Sequence, residues 1–264
     1  MKLIKLFFLF YYFIIYISYP INSFNIVIGY FNPDVGAPST EIVKASSYYF
    51  KSLDENINIT FQPILKLEAI PELLSDSSID YLIISPIFIE YLGSNSKIFP
   101  LLSSWDSSGK NIYSKFVISK KNNIKSIEEI SKKIVASSSY GKFGDTILNN
   151  FIFTSSPIKT DNVELVWVKK DLDAIFALIF GQVDAAIVSP ICLKIINEEK
   201  PEYASLLNII HKSKEMPFPN LYSNENFKNN KVIEQIFLQM NTNESGRNLL
   251  DLLGINYWKT IGDL

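Results

Sequence analysis

Residues 171–190 read DLDAIFALIFGQVDAAIVSP, and the order of breaks within them decides the fold class. Asp171 and Asp173 suit the first turn of a helix, where carboxylates meet exposed N–H groups and the positive end of the helix dipole. Apolar residues at helical spacing follow as far as Phe180, and Gly181 ends the helix. Residues 183–188 (VDAAIV) then form a short apolar strand that stops at Ser189-Pro190. A helix that feeds an apolar strand in this way is half of a crossover unit in a parallel sheet.

Working outward, the middle third repeats that grammar. Residues 113–119 (YSKFVIS) read as a strand, 126–132 as a helix opened by Ser126, 133–137 (KIVAS) as a buried strand and 163–168 (VELVWV) as the next one. Between these lie a loop of small residues, 138–144, and an expected helix over 145–153. The first third matches: strand 24–30 (FNIVIGY), helix 40–53, strand 57–63 (INITFQP), short helix 68–75, and strand 79–85 halted at Pro86. Residues 206–211 are a further apolar run, and 227–253 are helical twice over, broken near 241–244. With no strands of their own to cover, these last helices are expected to return to the first half. That gives two α/β lobes, 24–110 with 208–264 and an inserted 111–207, joined by two crossing strands.

The first 23 residues carry Lys2 and Lys5, then an uncharged run LFFLFYYFIIYI, then Pro20 before Ile21-Asn22-Ser23. This is the three-part pattern of an export signal, and the run is shorter than the ~20 apolar residues of a membrane span. Cleavage after Ser23 is expected, with an uncleaved anchor as the alternative. Removing Lys2 and Lys5 from the 25 basic side chains leaves 23 against 27 acidic ones, a net charge of −4. Such a balance gives no footing for nucleic acid. Arg247 is the one arginine, so an anion site must be built from lysine, hydroxyls or backbone N–H groups. Cys192 is the one cysteine and His211 the one histidine. That excludes an intramolecular disulfide and argues against a metal site of the usual nitrogen and sulfur type. No GxSxG, P-loop or GxGxxG occurs.

Six segments, taken in order, resemble a known family: GYFNP (29–33), DYLIISP (80–86), NIKSIEEISKKIVAS (123–137), DLDAIFALIFGQVDAAIVSP (171–190), KSKEMPFP (212–219) and ESGRNLLDLLGI (244–255). The chain resembles the type 2 periplasmic substrate-binding proteins, and within them the phosphate/phosphonate-type binding components of ABC transporters. The resemblance implies a two-lobed fold, each lobe a mostly parallel sheet flanked by helices. It also implies capture of a small polar, anionic ligand rather than turnover, no cofactor, and delivery to a membrane permease. The compartment it implies is the periplasm. Where the family presents a Ser-Thr-Ser-Gly-like stretch, this chain has Ser137-Ser138-Ser139-Tyr140-Gly141-Lys142-Phe143-Gly144. Competing readings are a ligand-sensing module for a membrane-bound partner and an exported enzyme on the same fold.

The carboxyl ends of the strands in an open α/β sheet are where ligands bind. Tyr30 and Asn32 follow the first strand, Ser85 ends the third, and Ser189 mirrors Ser85 in the other half. Ser138, Ser139, Tyr140 and Lys142 open the expected helix 145–153, whose free N–H groups would face an anion. These eight residues are the expected ligand contacts, and loss of the Ser139 hydroxyl is expected to weaken binding by roughly tenfold or more. Asp171 and Asp173 are read as helix-start residues, and His211 as a packed or hinge residue on the second crossing strand.

Overall fold

The computed structural model describes residues 24–34, 39–53, 57–93, 97–154, 156–225 and 230–263. The export signal and its cleavage point fall outside these residues.

The first lobe is built on β1 (Phe24–Phe31), β2 (Ile57–Pro63), β3 (Tyr81–Ile84) and β4 (Ile98–Trp105), joined by β12 (Asn220–Asn224) and β13 (Tyr257–Thr260) from the far end of the chain. The strand order is β13-β4-β12-β3-β1-β2. Strands β2, β1 and β3 run parallel, while β12 and β13 add antiparallel pairings to β3 and β4. Helix α1 (Ser39–Leu53) places Ile42, Ala45, Tyr49 and Phe50 against this sheet, with Glu41 in its first turn and Lys51 in its last. The short α2 (Ile70–Ser75) continues a 3₁₀ turn at Leu67–Ala69 and buries Ile70 and Leu74.

The second lobe has β6 (Phe116–Lys120), β7 (Ile134–Ser138), β8 (Glu164–Val168), β9 (Ala185–Val188) and β10 (Leu207–Lys212), in the order β10-β6-β9-β7-β8. Strands β8, β7 and β9 are parallel; β6 and β10 extend them antiparallel. Helix α4 (Asp171–Ile179) covers the sheet with Ala174, Ile175 and Leu178, and α5 (Pro190–Glu199) adds Cys192 and Ile196 to the same core.

Several details differ from the sequence reading. The stretch expected to be one strand over 113–119 is two, β5 (Ile112–Tyr113) and β6, parted at Ser114-Lys115. Strand β5 pairs with β11 (Met216–Pro217) in a separate two-stranded ladder, and here the chain passes between the two sheets. Residues 207–212 pair with β6, with a bulge at Ile210, so His211 lies on an edge strand of the second sheet, its ring against the Ile152 carbonyl at 2.9 Å. The C-terminal helices α7 (Asn230–Leu238) and α8 (Glu244–Leu253) pack in the same apolar cluster as β1 and α1, and β12 and β13 from the same end of the chain join the first sheet. Those two strands, and β4, are the source of the antiparallel pairing in the first sheet, which strand–helix alternation does not reveal. The helix expected over 145–153 is a succession of short turns: 3₁₀ at Gly141–Phe143, α3 (Gly144–Ile147), and a π turn at Leu148–Ile152.

The lobes meet along a continuous apolar seam. Phe31, Ile84 and Phe88 of the first lobe share one buried cluster with Val117, Val135, Tyr140 and Leu148 of the second. The Phe88 and Tyr140 rings lie 5.7 Å apart.

Candidate functional site

Three charged side chains are buried among the described residues: Asp34, Lys115 and Asp171. All three meet at one point between the lobes. Lys115 Nζ lies 2.7 Å from Asp34 Oδ1, 2.9 Å from Asp171 Oδ1, 2.8 Å from the Tyr140 hydroxyl and 3.3 Å from Ser138 Oγ. An isolated ammonium at such depth would cost several kcal/mol, so the site persists only because every side of the lysine is occupied.

Local structure explains how a lysine comes to sit there. Lys115 stands just after the crossing strand β5 and just before β6. Its backbone N–H donates to Ser213 Oγ and its carbonyl accepts from Ser213 N–H, both at 2.9 Å, so the outgoing and returning chains are tied at this residue. Asp171 opens α4 and uses its other oxygen to accept from the Ser189 N–H at 2.6 Å. Ser138 ends β7 and Tyr140 follows it. Asp34 alone comes from the first lobe, two residues past Asn32, whose Oδ1 accepts from the Asp34 N–H. Asp34 Oδ1 also accepts from the Tyr140 hydroxyl at 3.0 Å and from Ser138 Oγ at 3.4 Å, and Oδ2 accepts from the Tyr113 hydroxyl. Ser189 Oγ donates to the Asp34 carbonyl at 2.8 Å.

Electrostatics follow from this geometry. Burial by itself favours the neutral amine of Lys115, but the Asp171 and Asp34 carboxylates outweigh it and hold the ammonium well above its ordinary range. Burial pushes the Asp171 carboxyl up to about 6 against the pull of Lys115, and Asp34 adds to the rise. Burial, then the Asp34 carboxylate, keep the Tyr113 and Tyr140 hydroxyls protonated far above their usual value, so both serve as donors. Two carboxylates against one ammonium leave the cluster with an excess negative charge. Cys192 lies beside it, its thiol pushed up to about 12 mainly by burial and then by Asp171. An inter-lobe crevice of about 670 Å³, lined in part by Asn32, Asp34, Tyr113 and Ser189, opens onto the cluster.

Of the eight residues expected to contact a ligand, the structure brings Ser138, Tyr140 and Ser189 to the cluster, with Asn32 at its edge. Ser85 is buried near β11, its Oγ donating to the Pro217 carbonyl at 2.8 Å. Tyr30 lies in the first-lobe core against Phe61. Ser139 is exposed and its Oγ accepts from Gly141 N–H. Lys142 is exposed too; its ammonium lies over the Phe143 ring and its backbone N–H donates to Glu68 Oε1 of the first lobe at 2.6 Å. That N–H holds the Glu68 carboxyl below its usual range. Gly141 permits the contact, because its φ of +63° suits glycine and a Cβ there would overlap the Glu68 carboxylate. The backbone donors expected for an anion at 138–144 thus include one already engaged by the opposite lobe. Sequence reasoning missed Asp34 and Lys115 and took Asp171 for a helix-start residue only. Strand phase offered no signal, because Val117, Ile118 and Ser119 are buried on both faces of β6 and Lys115 lies just before it.

A family model described as "ABC transporter, phosphonate, periplasmic substrate-binding protein" matches residues 47–263. The chain belongs to that family. Members are solute-binding proteins of the periplasm rather than enzymes, and they work with an ABC transporter permease. No curated protein matches the chain in sequence. Among solved structures, the binding-protein component of an ABC phosphonate transporter from Pseudomonas aeruginosa superposes with a TM-score of 0.73 at 14% identity, over 89% of this chain and 81% of that one. A methylphosphonate complex from Prochlorococcus marinus gives 0.71 at 10% identity, over 89% and 92%. The cysteine-binding protein of Campylobacter jejuni gives 0.52 at 13% identity, over 86% and 87%. At these identities the likeness is one of fold, the two-lobed α/β architecture described above.

Proposed function

We propose that this family member captures a small oxyanion, with a phosphonate or phosphate head group, between its lobes at Lys115. The observation that carries this reading is the convergence of one ammonium and the hydroxyls of Tyr113, Ser138 and Tyr140 on a single buried point where the lobes meet. A lysine and three hydroxyl donors suit an oxyanion, and in a protein with one arginine they take the place of a guanidinium clamp. Closure of the lobes would exclude water and strengthen each of these bonds. The passage at β5 and β11 would serve as the hinge, and Glu68 on the Lys142 N–H as a contact made on closing. The exported form would begin near Phe24, which N-terminal sequencing of secreted material tests.

The functional test is a thermal-shift screen of the exported form against phosphate, phosphite, methylphosphonate, sulfate and amino acids. A ligand at 100 times its Kd stabilises the native state by about 2.7 kcal/mol, which raises the midpoint by several degrees. The expected pattern is a response to a phosphorus oxyanion that Lys115→Met abolishes. A response that survives Lys115→Met would move the site elsewhere.

A further inference from the structure

We infer that the buried donors of the second lobe form an oxyanion cradle and that the Asp34 carboxylate occupies it as a built-in substitute for the ligand. This rests on the reading of Lys115 as the centre of the capture site.

The composition of the cradle is the first argument. Lys115 Nζ, the Tyr140 hydroxyl and Ser138 Oγ all reach Asp34 Oδ1, at 2.7, 3.0 and 3.4 Å, and the Tyr113 hydroxyl reaches Oδ2. A carboxylate that accepts from an ammonium and three hydroxyls is bound as an exogenous carboxylate or phosphonate would be. The source of each group is the second. The donors belong to the second lobe or the crossing strand that leads into it, whereas Asp34 is attached to the end of β1 in the first. Separation of the lobes would carry Asp34 away and leave Lys115, Ser138 and Tyr140 together, still paired with Asp171.

Charge supplies the third argument. Asp34, Asp171 and a bound oxyanion would place at least three negative charges around one ammonium in a site closed to water, which burial makes costly. The oxyanion and the Asp34 carboxylate are therefore alternatives in the cradle. Without Asp34, Lys115 and Asp171 balance one to one. An intramolecular carboxylate competes at a high effective concentration, and the apparent affinity for free anion falls by the fraction of molecules whose cradle is open. Asp34 then sets an affinity threshold, so that anions weaker than the proper solute are shut out.

The test is isothermal titration calorimetry of the exported protein with methylphosphonate, inorganic phosphate and acetate, for wild type, Asp34→Asn, Asp34→Ala and Lys115→Met. Asp34→Asn keeps the volume and removes the charge; Asp34→Ala removes the side chain. Circular dichroism melts establish that each variant is folded. The expected result is at least about tenfold tighter binding of one of these anions by both Asp34 variants than by wild type. Equal or weaker binding by the Asp34 variants overturns the inference, and weaker binding would make Asp34 a direct ligand contact. Absence of binding to all three anions by every Asp34 variant also overturns it, since an emptied oxyanion cradle must take an oxyanion. Failure of the underlying site reading is seen separately, as undiminished binding by Lys115→Met.

Discussion

Two corners of this molecule share a local sequence and differ in what they touch. Ser85-Pro86 ends β3 and Ser189-Pro190 ends β9; in each the serine is extended, the proline opens a helical turn, and both serines are buried. Ser85 Oγ donates to the Pro217 carbonyl, on the returning chain where it passes between the sheets. Ser189 Oγ donates instead to the Asp34 carbonyl across the cleft, while its own N–H is held by Asp171, itself bonded to Lys115. One corner thus supports the passage between lobes and the other belongs to the charge cluster. A dipeptide that stops a strand at its carboxyl end sets the position of a side chain, but the partner arriving from far away in sequence sets its role.

The largest effect is expected from cutting the charge cluster on which the second corner depends. Lys115→Met leaves Asp34 and Asp171 buried without a cation, and breaking a buried pair in this way costs about 3 to 5 kcal/mol. Urea denaturation should show that loss, and a change below about 1 kcal/mol would mean that water reaches the cluster.

Asp171 provides the next test, through pH. Its carboxyl is raised from 3.8 to about 6 in the folded protein. Between those values the native state keeps a proton that the unfolded chain has released. This contribution is fully present below about pH 4 and is lost as pH rises through about 6. Relative to Asp171→Asn, the wild type should therefore lose stability over that window, by at most about 3 kcal/mol for a two-unit shift. Urea midpoints taken at half-unit steps from pH 4 to 7 for both proteins check this; parallel curves would mean that the carboxyl titrates normally.

The smallest effects separate the corners directly. Ser189→Ala removes one neutral hydrogen bond between the lobes, worth about 1 kcal/mol, or roughly a fivefold shift toward the open form. Small-angle scattering of the ligand-free protein should then give a larger radius of gyration. Ser85→Ala should cost a similar amount of stability and leave the radius unchanged. If both alter the radius alike, the two corners are not distinct.

Much of the lobe architecture could be read from local pattern. Helix α1, strand β2 and the α4–β9 unit fall where apolar spacing, Gly181 and the Ser-Pro stops place them. Strands β4, β12 and β13 escaped, each for a physical reason. Strand β4 contains Pro100, β12 is the polar NLYSN, and β13 is a four-residue edge strand. Their stability comes from pairing with partners more than a hundred residues away, as in β12 with β3 and β13 with β4, and local spacing carries no trace of that. The buried cluster was legible in outline at Ser138, Tyr140 and Ser189, which lie at or just past strand ends. Asp34 and Lys115 were not, because charged side chains are ordinarily solvated and only their mutual approach makes burial tolerable. Ser139 looked equivalent to Ser138 in sequence, yet Ser138 still belongs to β7 and faces inward, whereas Ser139 follows the strand and faces solvent.

A crystal structure of the wild-type protein with methylphosphonate tests the central claim most directly. The expected result is a phosphonate oxygen within hydrogen-bond distance of Lys115 Nζ and of the Tyr113 and Tyr140 hydroxyls, with the Asp34 carboxylate displaced. Methylphosphonate bound elsewhere, with the Lys115–Asp34 contact intact, would contradict it.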